Sequence, residues 1–343
     1  MRDRDPLLAR RTVIKGAGLG LVAGALADTA SAQSGDCTVG MSATKIWSSE
    51  YWVKKGDVPL WMFRKRVGEP KAGEPSRPVL FFVHGSSVTS RVFDLNVPGK
   101  GEYSVMNEFA RQGFDCWTMD HENYGKSGRT SGNSDIASGV EDLKVAVEII
   151  ARETGARKYH FVGESSGALR AGAYAMVAPE RIDRLVFAAF TYKGEGSPTL
   201  AKRAEQVEFY RSHNMRKRDR EMIRSIATRD KPGTSDPAVM DVLADVELQF
   251  GDQIPTGTYL DMTANLPLLD PAKVHAPVLL IRGEHDGIAT LDDLVSFFKK
   301  LPNGDRQLTV LPNAAHSLTF DRDRHRFWHA IHAFLGVQQV AKG

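Results

Sequence analysis

The stretch Tyr159-His160-Phe161-Val162-Gly163-Glu164-Ser165-Ser166-Gly167-Ala168-Leu169-Arg170-Ala171 decides the fold. Its first four residues read as a strand covered on both faces, and the Ala-rich residues after Gly167 read as a helix. Between them stands G-x-S-x-G, Gly163 to Gly167. A serine on so tight a strand-to-helix turn has a strained backbone, and only small residues fit two positions before and after it. The turn lifts the hydroxyl out of the sheet. It also sets the following backbone N–H and the helix N-terminus beside any anion that forms there. The pentapeptide alone recurs by chance, and the strand before it and helix after it are what make Ser165 a candidate nucleophile.

Working outward, apolar or β-branched runs recur at Leu60–Val67, Val79–Val83, Phe114–Met119, Leu185–Phe190, Val278–Ile281 and Leu308–Leu311. Helical periodicity lies between most of them, at Ser104–Arg111, Val140–Arg152, Gly167–Val177, Leu291–Lys300 and Arg324–Phe334. Such alternation predicts an α/β fold, a doubly wound and mostly parallel sheet. The rhythm breaks between Phe190 and Val278, where helical patterning continues without a convincing core strand. A structureless loop of that length is implausible inside a compact domain, so residues 191–276 are expected to form an inserted helical cap. The core is then expected in two parts, 33–190 and 277–343.

A serine hydroxyl needs a base, and the base needs an orienting acid. Val278-Leu279-Leu280-Ile281 leads into Arg282-Gly283-Glu284-His285-Asp286-Gly287, which sets Asp286 in a loop past the carboxyl end of a strand. The run ending at Leu311 leads into Pro312-Asn313-Ala314-Ala315-His316, which sets His316 in the next such loop. Open α/β sheets bind ligands on that edge. Phe81-Phe82-Val83-His84-Gly85-Ser86 supplies a further strand and turn, so the N–H of Ser86 and that of Ser166 are the expected oxyanion donors. Each such donor is typically worth about 3 kcal/mol of transition-state stabilisation.

Through these residues the chain resembles the α/β-hydrolase superfamily in its capped, esterase-like branch, from about Val79 to Leu335. The resemblance rests on His84-Gly85, the elbow at 163–167, Gly283-Glu284-His285-Asp286 and Ala315-His316, and Asp120…Gly125-Lys126-Ser127 looks like the family's turn after its fourth strand. It implies Ser165 as nucleophile, His316 as base and Asp286 as acid, with no metal or organic cofactor. Glu164 departs from the neutral or imidazole side chain common at its position, which leaves substrate charge open. A serine nucleophile argues against the dehalogenase and epoxide hydrolase branches, which use aspartate.

Glu164, Phe190 and Tyr192 are candidates for the substrate pocket, Phe190 and Tyr192 because the cap begins where their strand ends. Core packing is the competing reading of those two. His325, His329 and His332 share a helical face, but without a matching carboxylate or cysteine they do not make a metal site. Gly18-Leu19-Gly20-Leu21-Val22-Ala23 fits a dinucleotide fingerprint by letter only, since no strand precedes it. Gly125-Lys126-Ser127 lacks the earlier glycine of a phosphate loop, because Asp120 stands there.

The first 32 residues read as an export signal: Arg10-Arg11-Thr12-Val13-Ile14-Lys15 is a twin-arginine pattern, a weakly apolar stretch runs from Gly16 to Ala27, and Ala30-Ser31-Ala32 offers a cleavage site. The apolar stretch is too short to span a bilayer, so no stable membrane span is expected after processing. Two cysteines, Cys37 and Cys116, leave a single bridge undecided. A net charge of +3 gives no nucleic-acid signal. The expectation is therefore a periplasmic or secreted serine hydrolase that meets the twin-arginine export machinery and then a small or polymeric ester. The same machinery also suits lactones, thioesters, amides, C–C hydrolysis and acyl transfer. A non-catalytic binding protein on this scaffold would be expected to have lost one of the three residues, and none is missing.

Overall fold

The computed structural model describes residues 45–336. The export signal, its cleavage site after Ala32, Cys37 and the last residues of the second core part lie outside them. The chain opens with a hairpin, β1 (Ile46–Lys55) and β2 (Val58–Val67), paired antiparallel. It continues through β3 (Val79–Val83), α1 (Val105–Arg111), β4 (Asp115–Met119), α2 (Ile136–Thr154), β5 (Tyr159–Glu164), α3 (Ser166–Val177) and β6 (Ile182–Ala188). An insertion follows: α4 (Pro198–Ala204), α5 (Val207–Ser212), β7 (Met215–Lys217), α6 (Arg220–Thr228), α7 (Pro237–Leu248), β8 (Gln253–Pro255) and α8 (Gly257–Leu260). The chain returns to the sheet with β9 (Val278–Gly283), α9 (Leu291–Lys300), β10 (Arg306–Leu311) and α10 (Arg324–Leu335).

Eight strands form one sheet in the order β1-β2-β4-β3-β5-β6-β9-β10. From β4 to β10 every pairing is parallel; β2 pairs antiparallel with both its neighbours, so it alone runs against the rest. Alternation along the strands feeds two cores. Phe81, Phe161 and Leu185 face α2, α3 and α9, whereas Leu80, Phe82, Val162 and Val186 face α1 and α10. Strands covered on both faces are mostly apolar along their length, which is why β3 and Val278–Ile281 of β9 read as unbroken hydrophobic runs.

Local signals account for most boundaries. Helix α2 begins four residues before the predicted Val140, because Asp135 caps it by accepting from the Ser138 N–H, and it ends where Gly155 turns left-handed at φ 70°. Strand β1 was not predicted. It alternates half-buried and exposed residues on the sheet edge, so it lacks the continuous apolar run of the central strands. The insertion contains, besides its helices, a two-stranded antiparallel ribbon of β7 and β8, too short to leave a period-two signature. Among the described residues no helix is long and apolar enough to cross a membrane. Cys116 is buried in β4 with no disulfide among the described residues, and burial pushes its thiol pKa well up.

Candidate active site

Ser165 stands between β5 and α3 with φ 58° and ψ −123°, a conformation that L residues rarely adopt. The two glycines flanking it are steric necessities. A Cβ at Gly163 would come within 2.5 Å of the Ala168 backbone, and one at Gly167 within 2.0 Å of the Val83 carbonyl oxygen. The elbow is therefore held by close packing of β3, β5 and α3. Its Ser165 N–H donates to the Ala188 carbonyl at 2.8 Å, which ties the strained residue to the end of β6.

The loops after β9 and β10 bring two further side chains to this turn. His316 Nε2 lies 3.1 Å from Ser165 Oγ, and its Nδ1 lies 2.8 Å from Asp286 Oδ1. The same carboxylate oxygen accepts from the N–H groups of Ile288 at 2.8 Å and Ala289 at 3.0 Å. Burial pushes the Asp286 carboxyl up, but the His316 ring and the two backbone donors outweigh it, and its pKa falls below the usual aspartate value. A carboxylate can only accept, so Nδ1 carries the proton and Nε2 is left to accept from the serine hydroxyl. All three residues leave the sheet at one end, as their places after successive parallel strands require.

The turn after β3 completes the rim. His84 is fully buried, with Nδ1 2.9 Å from the Gly85 carbonyl oxygen and Nε2 accepting from the His121 N–H at 3.3 Å. Burial pushes its pKa well down, so it stays a neutral prop. Ser86 Oγ donates to Ser166 Oγ at 2.8 Å, which draws the two backbone N–H groups to the same side of Ser165. Neither N–H has an acceptor among the described residues.

Side chains that no pattern in the sequence marked clamp this turn to the cap. Arg218 Nη1 donates to the Ser87 carbonyl at 3.1 Å and to Glu247 Oε2 at 2.7 Å. Glu247 Oε1 accepts from both the N–H and the hydroxyl of Thr89 at 2.9 Å. Tyr259 in α8 is hydrogen-bonded with Ser87 Oγ at 2.6 Å. Arg218 stands in the charged run Arg216-Lys217-Arg218-Asp219-Arg220, whose default reading is a solvated surface, yet it is buried against Glu247. The signal is absent because Arg218, in the turn between β7 and α6, and Glu247, on α7, are ordinary charged residues that only the fold brings together.

Between rim and cap lies a pocket of about 510 Å³, its open mouth included, lined by Ser86, Ser87, Val88, Val92, Glu164, Ser165, Arg203, Ile226, Arg229, His316 and Phe320 among others. Glu164 does line it, and its Oε2 accepts from Thr319 Oγ1 at 2.6 Å. Burial raises the Glu164 pKa above the ordinary glutamate value, against the pull of Thr319 and His316. Phe190 and Tyr192 do not line it, which corrects their assignment to the pocket. β6 ends at Ala188, and Ala189, at φ 51°, turns the chain away. Both rings then pack edge-to-face with Phe297, at 4.9 and 5.2 Å between centroids. Asp293 of α9 holds this departure by accepting from the N–H groups of Tyr192, Lys193 and Gly194.

A mostly parallel sheet with a serine elbow after β5, and an aspartate and a histidine in the loops after β9 and β10, defines the α/β-hydrolase class. The chain matches the family described as serine aminopeptidase, S33 (Hydrolase_4), over residues 74–323 and belongs to this family of hydrolases. No curated protein matches the chain significantly. Among solved structures it is similar to an E-2-(acetamidomethylene)succinate hydrolase, with 19% identity, a TM-score of 0.62 and coverage of 85% of this chain and 100% of that one. The carboxylesterase CesB from Bacillus subtilis matches with 19% identity, a TM-score of 0.58 and coverage of 85% and 93%. An N-acyl homoserine lactone degrading enzyme, Est816, matches with 17% identity, a TM-score of 0.60 and coverage of 83% and 100%. At these identities the likeness is one of fold.

Proposed function

We propose that the protein hydrolyses carboxylic esters by two-step acyl transfer through Ser165. The observation that carries this reading is the continuous relay from Ser165 Oγ through His316 to Asp286, at 3.1 and 2.8 Å, opening on one pocket. His316 takes the hydroxyl proton as Ser165 Oγ attacks the ester carbonyl, and Asp286 orients the ring and stabilises its cation. The tetrahedral oxyanion is held by the N–H groups of Ser86 and Ser166. His316 then gives its proton to the leaving alcohol and activates a water that releases the acid. A lactone is the cyclic member of the same substrate class and needs no further group. A fluorophosphonate probe on the mature protein tests the reading. Labelling that disappears in Ser165→Ala, with turnover of 4-nitrophenyl esters, supports it; unlabelled, inactive but folded protein overturns it.

The place of action is proposed on the twin-arginine segment alone: outside the cytoplasm, after cleavage at Ala32. N-terminal sequencing of the protein from periplasmic and culture fractions checks this, and a full-length cytoplasmic product would sink it.

A further inference from the structure

The pocket wall opposite the elbow is cationic in a way that the acyl-transfer machinery does not use. Arg203, in α4, and Arg229, just past α6, both line the cavity that holds Ser165 and His316. The Arg203 side chain has no carboxylate or carbonyl within hydrogen-bond distance among the described residues. Among the described residues its partner is the Tyr259 ring, whose centroid lies 4.9 Å from Cζ. Arg229 has one nearby anion, Asp230 Oδ1 at 3.3 Å from Nε, without hydrogen-bond geometry, and its buried Nε and Nη2 are unsatisfied. Arg216 lies over the same Tyr259 ring at 4.8 Å and lines the adjoining cavity with Lys202, Arg203 and Arg229.

The charges facing this region do not cancel. Opposing the arginines are Asp230 and Glu164, and Glu164 is held by Thr319 with its ionised form disfavoured by burial. Burial and the neighbouring Arg229, among others, push Arg203 down to about 10, which still leaves it charged at neutral pH. Guanidinium groups that converge in a half-buried cleft with donors left unsatisfied are costly unless an anion completes them. A guanidinium presents a planar fork of donors that matches a carboxylate. The apolar remainder of the wall, Val88, Val92, Ile226 and Phe320, suits a short hydrocarbon segment between that carboxylate and the ester.

We propose that Arg203 and Arg229 bind a free carboxylate on the substrate, so that the ester taken by this pocket is an anionic one, such as the half-ester of a dicarboxylic acid. The inference rests on the ester-hydrolase reading and names the substrate class of that same site. It is tested by comparing kcat/KM within two pairs that differ in one charge: monomethyl glutarate against methyl butanoate, and 4-acetoxybenzoate against methyl 4-acetoxybenzoate. The expected result is a preference for the anion of roughly tenfold or more in at least one pair, from a charge-assisted bidentate contact, weakening as salt is added. In Arg203→Gln the ratio should collapse through KM of the anionic ester, and Arg203→Lys should restore part of it. Calorimetry with monomethyl glutarate on Ser165→Ala protein, with and without Arg203→Gln, reads the anion site without turnover. Neutral esters cleaved as well as anionic ones in both pairs would overturn the proposal and leave the ester reading intact. Arg203-dependent binding without any turnover or fluorophosphonate labelling would keep the anion site and overturn the ester reading.

Discussion

The elbow and the cap pose opposite problems. At 163–167 each requirement is local: a left-handed serine, two glycines whose missing Cβ atoms let β3 and α3 close in, and a helix start beside the hydroxyl. In the cap every requirement is remote. Glu247 meets Thr89 and Arg218 meets Ser87 across more than a hundred residues of chain. Tyr259 meets Ser87 in the same way. Reactivity is thus built by a short turn that backbone sterics dictate, whereas the shape and charge of the pocket come from whichever side chains the insertion lays over it. One region can be varied while the other stays constant, which is how a single fold serves many substrates.

The largest effect separating the two regions is expected at the elbow. Ser165→Ala should lower kcat by roughly a millionfold while the folded protein persists, as single-turnover assays would show. Asp286→Asn should cost about 10⁴-fold, because an amide leaves the histidine in the wrong tautomer. The Asp286 carboxyl titrates below its ordinary value, so its contribution to stability is present above the unfolded pKa of about 4 and is lost as pH falls through the lowered value. Acid titration of the Asn variant should therefore lack that loss.

At the clamp, Glu247→Leu leaves the Arg218 guanidinium buried without its carboxylate. It should destabilise the protein by about 3–5 kcal/mol in denaturant titration, a penalty typical of half-broken buried pairs. If stability holds but turnover falls, the clamp positions the Ser86 turn without holding the cap, and the division between the two regions blurs. The smallest effect should come from Asp321, beside the cap at Ser235. Burial, aided by Asp323, pushes its carboxyl up to about 6. A raised carboxylate pKa means that folding favours the protonated form, so stability declines as pH rises from about 4 to about 6. Asp321→Asn should remove that decline, gaining about 1 kcal/mol at pH 7 and nothing at pH 4. Equal gains at both pH values would refute it.

Legibility followed the same division. The central strands were readable because burial on both faces forces continuous apolar runs, and Ser165, Asp286 and His316 were readable as loop residues after three of them. β1 escaped because an edge strand need be apolar on only one face. Phe190 and Tyr192 misled because nothing in their neighbourhood announces that the chain turns under the sheet at Ala189. Arg218 stands in a run of charges with nothing to mark it as buried, and its partner lies beyond the reach of any local pattern.

By itself the sequence determined the alternation of strands and helices, the elbow and the chain order of Ser165, Asp286 and His316 in loops after core strands, because periodicity and turn sterics act over a few residues. The tertiary structure alone decided that Arg203 and Arg229 line one pocket with Ser165, that Glu164 is held by Thr319, and that Glu247 bridges the cap to the turn after β3. Those are encounters between distant segments, and burial rather than local chemistry selects them.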